Sequence, residues 1–164
     1  MRTTWRALTI DTHFPDAPFI TFDNFDAERE VAQLVEAGVD SAHVWMKCHW
    51  GHFYYDTKVG TRHPRLDFDL AAAMVPALKD AGIEVIAYTG FWFETRTARE
   101  HPDWTVRDPE GNPVIWRRLH GDADNWRSRR WGMCCPNHPE YRAYCLVHIE
   151  EVFEGYDFEG IVGF

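Results

Sequence analysis

A ten-residue segment, MKCHWGHFYY at positions 46–55, concentrates side chains that could bind a ligand. It includes Lys47, His49, Trp50 and His52, together with a cysteine and further aromatic residues. Imidazoles bind metal ions or exchange hydrogen bonds, and aromatic rings offer flat apolar faces on which a ligand can stack. The segment therefore indicates either a metal site or a carbohydrate site.

A metal site would use His13, His49 and His52, with Asp11 as a further ligand. Histidine ligands at alternate strand positions are common in metal-dependent barrel hydrolases. However, His49 and His52 are three residues apart, so on one strand they would face opposite sides. The segment is also too rich in Trp and Tyr for a tight ligand shell, and zinc-type CxxC pairs are absent from the sequence. We therefore expect no metal and no other cofactor, and keep a metal-dependent barrel hydrolase as an alternative.

A carbohydrate site accounts for these residues better, because a pyranose combines an apolar face with a ring of hydroxyl groups. Aromatic rings would stack on that face, and imidazole, ammonium, carboxylate and amide groups would bind the hydroxyls. Tyr54, Tyr55 and Tyr88 stay open between this role and packing, and Cys134 and Cys135 are expected to be inert. The predicted substrate-binding residues are His13, Lys47, His49, Trp50, His52, Trp92, Glu94 and Asn137.

The sequence predicts alternating strands and helices that would position these side chains, and each predicted helix ends at a glycine. Apolar residues at helical spacing predict helices over 26–38, 66–82 and 137–155. Asp69 is a candidate cap for the second helix, and Pro76 inside it is expected to kink it. Apolar strands are predicted within residues 6–14, 39–46, 83–91 and 158–164.

The resulting order, β-α-β-α-β-α-β, predicts an α/β fold of parallel strands joined by right-handed crossovers. The first strand is not followed by a glycine-rich phosphate loop, which argues against a Rossmann fold. Long insertions at 47–66 and 91–137 follow strands, where a TIM (β/α)8 barrel builds its active site. A whole barrel needs roughly 250 residues. We therefore expect residues 1–164 to be one partial domain, the N-terminal half of a TIM barrel truncated after the fourth strand.

The bulk composition excludes several classes of partner. A net charge of −9 argues against nucleic acid, which rewards basic surfaces, and the basic run at 127–130 is expected to be a solvated loop. There is no apolar run of membrane-spanning length and no signal peptide is recognisable, so we expect no membrane partner. The four cysteines do not suggest a disulfide framework, which favours a reducing, cytoplasmic location.

The central segment of the chain resembles a known enzyme family. Residues 45–70, WMKCHWGHFYYDTKVGTRHPRLDFDL, look like the second-strand segment of α-L-fucosidase-like glycoside hydrolases. The resemblance is strongest to the bacterial group whose members carry a β-galactosidase-type trimerisation domain downstream. The K-x-H-x-G pattern of the family falls on Lys47, His49 and Gly51, and its Y-x-T-K-x-G pattern falls on residues 55–60.

The same resemblance extends over nearly the whole chain. DTHFPD, residues 11–16, resembles the end of the first strand, where the histidine of the family contacts the sugar, here His13. VIAYTGFWFE resembles the end of the third strand, which offers an aromatic residue and a carboxylate, here Trp92 and Glu94. Residues 134–161 resemble the approach to the fourth strand. The resemblance implies a barrel, a terminal sugar as substrate and a retaining mechanism.

One departure from the family affects the expected chemistry. Retaining glycosidases need two carboxyl groups about 5–5.5 Å apart, one of them a nucleophile. The fourth strand of the family reads roughly DGIFFDM, and the position of its nucleophilic aspartate falls here on Phe164. We therefore predict a fragment of a retaining, α-L-fucosidase-like glycoside hydrolase that is inactive alone. The alternatives are a non-catalytic carbohydrate-binding half-barrel and the metal-dependent hydrolase. The open barrel edge also predicts self-association.

Overall fold

The computed structural model of the chain describes residues 5–117 and 130–163. They form a mixed α/β fold with a central six-stranded sheet and a separate two-stranded sheet. Phe164 and residues 118–129 lie outside the described residues. In chain order the elements are β1 (Ala7–Thr9), α1 (Ala27–Glu36), β2 (Ser41–Lys47), β3 (His52–Phe53), β4 (Thr61–Arg62), α2 (Leu70–Asp80), β5 (Glu84–Thr89), α3 (Thr95–Glu100), a 3₁₀ turn (Pro102–Trp104), β6 (Ile115–Arg117), β7 (Arg130–Gly132), α4 (Pro139–Gly155) and β8 (Gly160–Gly163).

Four strands of the central sheet run parallel and lie side by side in chain order. β1 pairs with β2, β2 with β5, and β5 with β8. One predicted helix precedes each of the last three: α1 before β2, α2 before β5 and α4 before β8. The predicted order of alternating strands and helices is therefore confirmed, and the carboxyl ends of the four strands lie at one edge of the sheet.

Side-chain caps and positive-φ glycines set the ends of the first two helices. Asp26 accepts the N–H of Arg29 at 3.0 Å at the start of α1, and Asp69 accepts that of Ala72 at 2.7 Å at the start of α2. Such caps satisfy backbone donors that the first helical turn leaves unpaired. Just beyond the other ends, Gly38 and Gly82 have φ of 71° and 74°. These are left-handed conformations that glycine adopts without steric cost.

Short elements within the loops were not predicted. β3 pairs antiparallel with the end of β2, and β4 pairs parallel with β3. β6 and β7 form an antiparallel ribbon, and α3 follows β5. The expectation of exclusively parallel strands is therefore corrected. The insertions that follow β2 and β5 add antiparallel pairs to the parallel set of four strands.

The hydrophobic core lies between the sheet and its helices. Ala42 and Val44 of β2 and Val85 and Ala87 of β5 are all at most 2% exposed. By the alternation of side chains along a strand, Trp45 and Tyr88 point to the opposite face of the sheet, where their rings pack 3.6 Å apart. All four cysteines are free thiols. Within the described ranges, no helix is both long enough and apolar enough to cross a membrane.

Candidate functional site

Two histidines from neighbouring strand ends meet at the carboxyl edge of the sheet. His13 follows β1 and His49 follows β2, and their ring centroids lie 3.9 Å apart at an interplanar angle of 61°. The parallel pairing of β1 with β2 brings the two loops together. Asp11 fixes the first ring, because its Oδ1 accepts both the backbone N–H of His13 at 2.9 Å and the imidazole Nδ1 at 2.7 Å.

Burial favours the neutral form of both imidazoles. Burial lowers the pKa of His13, although Asp11 opposes the shift. Burial, followed by the electrostatic interaction with His13, lowers the pKa of His49 to about 3. Partial burial acts to raise the pKa of Asp11, but its hydrogen bonds from His13 outweigh this and lower it, so the carboxylate is ionised. With Nδ1–H of His13 donated to Asp11, Nε2 is left as the acceptor atom of that ring.

Aromatic rings surround this histidine pair. Trp45 lies 4.0 Å from His13, and Phe93 lies 5.1 Å from His49. The indole N–H of Trp45 is buried and has no hydrogen-bond partner within the described part of the chain. At the outer side, Trp92 stacks on Phe93 at 5.7 Å and is 48% exposed. We call this group the imidazole cluster; it consists of His13, Trp45, His49, Tyr88, Phe93 and Trp92.

Lys47 and Glu94, both predicted to contact substrate, lie inside the protein rather than at its open mouth. Both side chains are 0% exposed and form an ion pair with each other. Thr97 donates its hydroxyl to Oε2 of Glu94 at 2.6 Å, and the Tyr141 hydroxyl lies 2.6 Å from Oε1. The pair therefore joins the end of β2 to the loop after β5 and to α4.

Trp50 and His52 line a separate cavity. The ring of His52 lies 4.9 Å from that of His63, and burial, followed by His63, lowers its pKa to about 4. We call this space the Trp50 cavity; its volume is about 350 Å³, and it is lined by Pro15, Asp16, Trp50, His52, Thr95, Arg96, Arg99 and Glu100. The structure thus distributes the predicted residues among the imidazole cluster, the Trp50 cavity, the buried Lys47–Glu94 pair and the exposed loop that contains Asn137.

The predicted metal-ligand set is not assembled. In the described ranges, the one group of His, Cys, Asp and Glu side chains with ligand spacing is Asp103, His138 and Glu140. This group contains none of His13, His49 and His52. His13 and His49 pack against each other, whereas His52 packs against His63. Their positions therefore favour the carbohydrate interpretation over the metal one.

Asn137 is exposed in the loop that leads into α4. That loop reaches the imidazole cluster through another residue, because the N–H of Cys134 donates to the carbonyl of Trp92 at 2.9 Å. Trp45 and Phe93 were missed as site residues, and Tyr88 was left undecided. Alternation along β2 and β5 was the sequence signal that could have placed Trp45 and Tyr88 on one face.

Comparisons with known proteins agree with this architecture. The family described as "Hypothetical glycosyl hydrolase 6" matches residues 26–163. An α-L-fucosidase isoenzyme 2 from Paenibacillus thiaminolyticus is 28% identical, with a TM-score of 0.83 over 98% of this chain and 23% of that one. An α-fucosidase from Thermotoga maritima is 20% identical, with a TM-score of 0.58 over 87% of this chain and 29% of that one, which shows the fold alone. This chain therefore spans less than a third of these solved structures. No curated protein matches it.

Proposed function

Since the chain belongs to the hypothetical glycosyl hydrolase 6 family and is α-L-fucosidase-like, we propose that its imidazole cluster binds a fucose-type pyranose. The observation that carries this proposal is the meeting of His13 and His49 at 3.9 Å from the ends of two parallel strands. A neutral imidazole has one donor and one acceptor nitrogen, and because Asp11 accepts the Nδ1–H of His13, the Nε2 atom of this ring is the one suited to accept from a sugar hydroxyl.

The proposed role of each side chain follows from its position. Asp11 holds the ring of His13 so that Nε2 can accept a hydrogen bond from a sugar hydroxyl group. The indole N–H of Trp45, buried beside this ring, is available as a donor. Trp92, half exposed and stacked on Phe93, provides a flat apolar surface for the sugar ring.

We also propose that the four parallel strands are half of a TIM barrel. Their spatial order, β1-β2-β5-β8, is also their order in the chain, with a helix in each crossover. A doubly wound sheet would reverse direction within such a set, whereas a barrel continues in one direction. This order supports the barrel. Among the described residues, no strand pairs with the outer edges of β1 and β8, which supports self-association. Light scattering checks this, and a clean monomer would be the contrary result.

We propose a retaining glycosidase reaction for the family and little hydrolysis by this chain. Asp11 is ionised and accepts the Nδ1–H of His13, so it is not suited to donate a proton to a leaving group. The position that the resemblance assigns to the nucleophile is Phe164, which lies outside the described residues and has no carboxylate. Binding without hydrolysis is therefore the second candidate function. Clear turnover of an aryl α-L-fucoside would contradict the expected inactivity.

Calorimetric titration with L-fucose tests the binding proposal. We expect saturable binding by the unaltered chain and binding weakened by about tenfold or more in His49→Ala, which is the effect of losing one good hydrogen bond. His101→Ala is the matched control, because His101 is exposed and stacks on Trp104 instead. Circular dichroism would verify that both variants fold. Absence of fucose binding by the unaltered chain would refute the proposal.

A further inference from the structure

A group of side chains that could bind a metal ion lies at the start of α4, outside the imidazole cluster and the Trp50 cavity. It consists of Asp103 from the 3₁₀ turn, His138 directly before α4 and Glu140 in the first turn of α4. One ligand atom from each side chain lies within 4.8 Å of those from the other two. Two distant parts of the chain thus bring an imidazole and two carboxylates together.

Backbone hydrogen bonds hold these two parts of the chain against each other. The N–H of Cys135 donates to the carbonyl of Trp104 at 2.7 Å, and the N–H of His138 donates to the carbonyl of Cys135 at 3.0 Å. The Trp104 ring is 8% exposed, and its centroid lies 6.1 Å from that of the His138 ring. The fold therefore positions the backbones of the three ligands, so that binding an ion does not require the two segments to meet first.

Unpaired polar groups in this place indicate a cation as their partner. The Nδ1 atom of His138 is buried and has no hydrogen-bond partner among the described residues, although the large majority of buried polar atoms have one. Neither Asp103 nor Glu140 forms an ion pair within residues 5–117 and 130–163. The indole N–H of Trp104 donates to Oε2 of Glu140 at 3.0 Å. Such a bond from an outer residue orients a metal-binding carboxylate, and Oε1 is left for the ion.

The ligand types select a transition-metal ion of the zinc kind. Imidazole and carboxylate groups both bind Zn²⁺, at about 2.0–2.2 Å, whereas Ca²⁺ and Mg²⁺ prefer oxygen ligands throughout. The ligand atoms of a tetrahedral zinc ion are about 3.4 Å apart, and rotation of the exposed Asp103 and Glu140 side chains brings their oxygens to that spacing. With three protein ligands, water takes the fourth position.

We propose that Asp103, His138 and Glu140 bind a zinc ion, which ties the 3₁₀ turn to the start of α4. This site goes beyond the proposed sugar binding, because it shares no residue with the imidazole cluster. The ion stabilises the insertion that follows β5. Since two of the three ligands are exposed, the ion exchanges with solution, and a chelator removes it without unfolding the chain.

Calorimetric titration of the chelator-treated full chain with Zn²⁺ tests this proposal. We expect saturable binding of one ion and a higher melting temperature in zinc than in EDTA, because an ion that binds the folded chain stabilises it. Ca²⁺ and Mg²⁺ should leave the melting temperature unchanged. Co²⁺ in place of Zn²⁺ should give the visible absorption of a four-coordinate ion without a thiolate charge-transfer band, because no cysteine belongs to the site.

Three variants assign the ion to this group of residues. His138→Ala, Asp103→Asn and Glu140→Gln should each weaken zinc binding by about tenfold or more and abolish the rise in melting temperature, since loss of an outer partner alone costs that much. The variants are expected to fold. Glutamine retains the oxygen that accepts the Trp104 N–H, and the His138 side chain makes no capping hydrogen bond to α4.

Matched controls separate this site from a general effect of charge or histidine content. His101→Ala removes an imidazole that stacks on the same Trp104 ring, at 3.8 Å, but lies outside the group. Glu154→Gln neutralises an exposed carboxylate at the other end of α4. Both control variants should bind zinc as the unaltered chain does.

Three results would overturn the proposal. The first is absence of zinc binding by the unaltered chain. The second is equal binding by the unaltered chain and the three variants, or a thiolate band with Co²⁺, because either would place the ion elsewhere. The third is weaker binding in the carboxylate variants but not in His138→Ala, which would mean attraction to exposed acidic groups only. Binding of L-fucose is measured separately and stands or falls independently of these results.

Discussion

The buried ion pair between Lys47 and Glu94 makes a sharp prediction about stability. Both side chains are 0% exposed, so the Lys47 ammonium is shielded from bulk solvent. Its other neighbours are aromatic faces, with ring centroids of Phe53, Phe91 and Tyr144 at 5.6, 5.5 and 5.2 Å. Removing one partner therefore leaves a charge in a dry environment, where it has no counter-charge.

The expected magnitudes follow from this burial. Glu94→Gln should lower the free energy of unfolding by about 3–5 kcal/mol, because the Lys47 cation stays buried without a partner. Lys47→Met should cost a similar amount, about 3–5 kcal/mol, although Thr97 still donates to the remaining carboxylate at 2.6 Å. The double variant carries no buried charge, so it should be more stable than either single one. The exposed Asp56–Arg62 pair is the control, and Asp56→Asn should cost about 0–1 kcal/mol.

Urea unfolding of the four proteins in this cycle provides the assay. A strong positive coupling between the two substitutions is expected, with the double variant recovering most of the loss. If the single variants fail to fold and the double variant folds, the conclusion is the same. Additive losses in the free energy of unfolding would refute the reasoning, because they would mean that neither charge is stabilised by the other.

Three further predictions concern pH, backbone strain and a loop anchor. Because His49 has a folded pKa of about 3 against an unfolded value near 6.5, protons favour the unfolded chain as pH falls below 6.5. Between pH 7.5 and pH 5, this residue should lower the free energy of unfolding by about 2 kcal/mol. Urea unfolding should therefore show a pH-dependent loss that is smaller by this amount in His49→Gln than in the unaltered chain. Gly51→Ala should lower the melting temperature more than Gly82→Ala does. Both glycines have a positive φ, but of the two only Gly51 would place a new Cβ against another side chain, 2.9 Å from the Cβ of Arg96. Glu151→Gln should lower the free energy of unfolding by about 1.5–3 kcal/mol and speed proteolysis of residues 55–60, because the Glu151 carboxylate accepts hydrogen bonds from Tyr55, Thr57 and Lys58. Glu150 is exposed next to it, and Glu150→Gln should do neither.

The main strands and helices were predictable because local and long-range signals agree. α1 and α2 begin at aspartate caps and are followed by glycines with positive φ, so a short window of sequence contains both boundaries. Pro76 lies inside α2, which continues past it to Asp80, and the kink expected at this proline stays a prediction. The packing of Met74, Val75 and Leu78 in the core supports the helix on both sides of the proline.

The short elements were not predictable for a physical reason. β3 and β4 have two residues each, too few for a periodic pattern to appear. The loop between them is held by contacts between distant residues, such as Tyr55 and Thr57 with Glu151 of α4 at 2.6 Å. β6 and β7 likewise pair across an insertion. Such elements follow from the tertiary fold rather than from their own sequence.

The candidate site was predicted in part. His13 and His49 meet because parallel pairing places both strand ends together, and this pairing followed from the helix–strand alternation. His52 does not join them, because the chain reverses at Gly51, which has a φ of 82°. The N–H of Cys48 then donates to the carbonyl of His52 at 3.0 Å as β3 runs back along β2. The turn at Gly51 therefore directs His52 away from His13 and His49, although the residue types of the segment suggested one shared site.

The placement of Lys47 depends on an irregularity in the sheet. Trp45 pairs with Tyr88, but Lys47 pairs with Thr89, so two steps along β2 face one step along β5. Without this bulge, Lys47 would share the face of Trp45 and point toward the imidazole cluster. With it, Lys47 shares the face of Thr89, whose hydroxyl lies 2.6 Å from Nε2 of His148 on α4. One extra residue therefore turns Lys47 toward Glu94 as its buried partner, and strict alternation along the sequence gives no sign of it. A sugar contact by Lys47 stays a prediction.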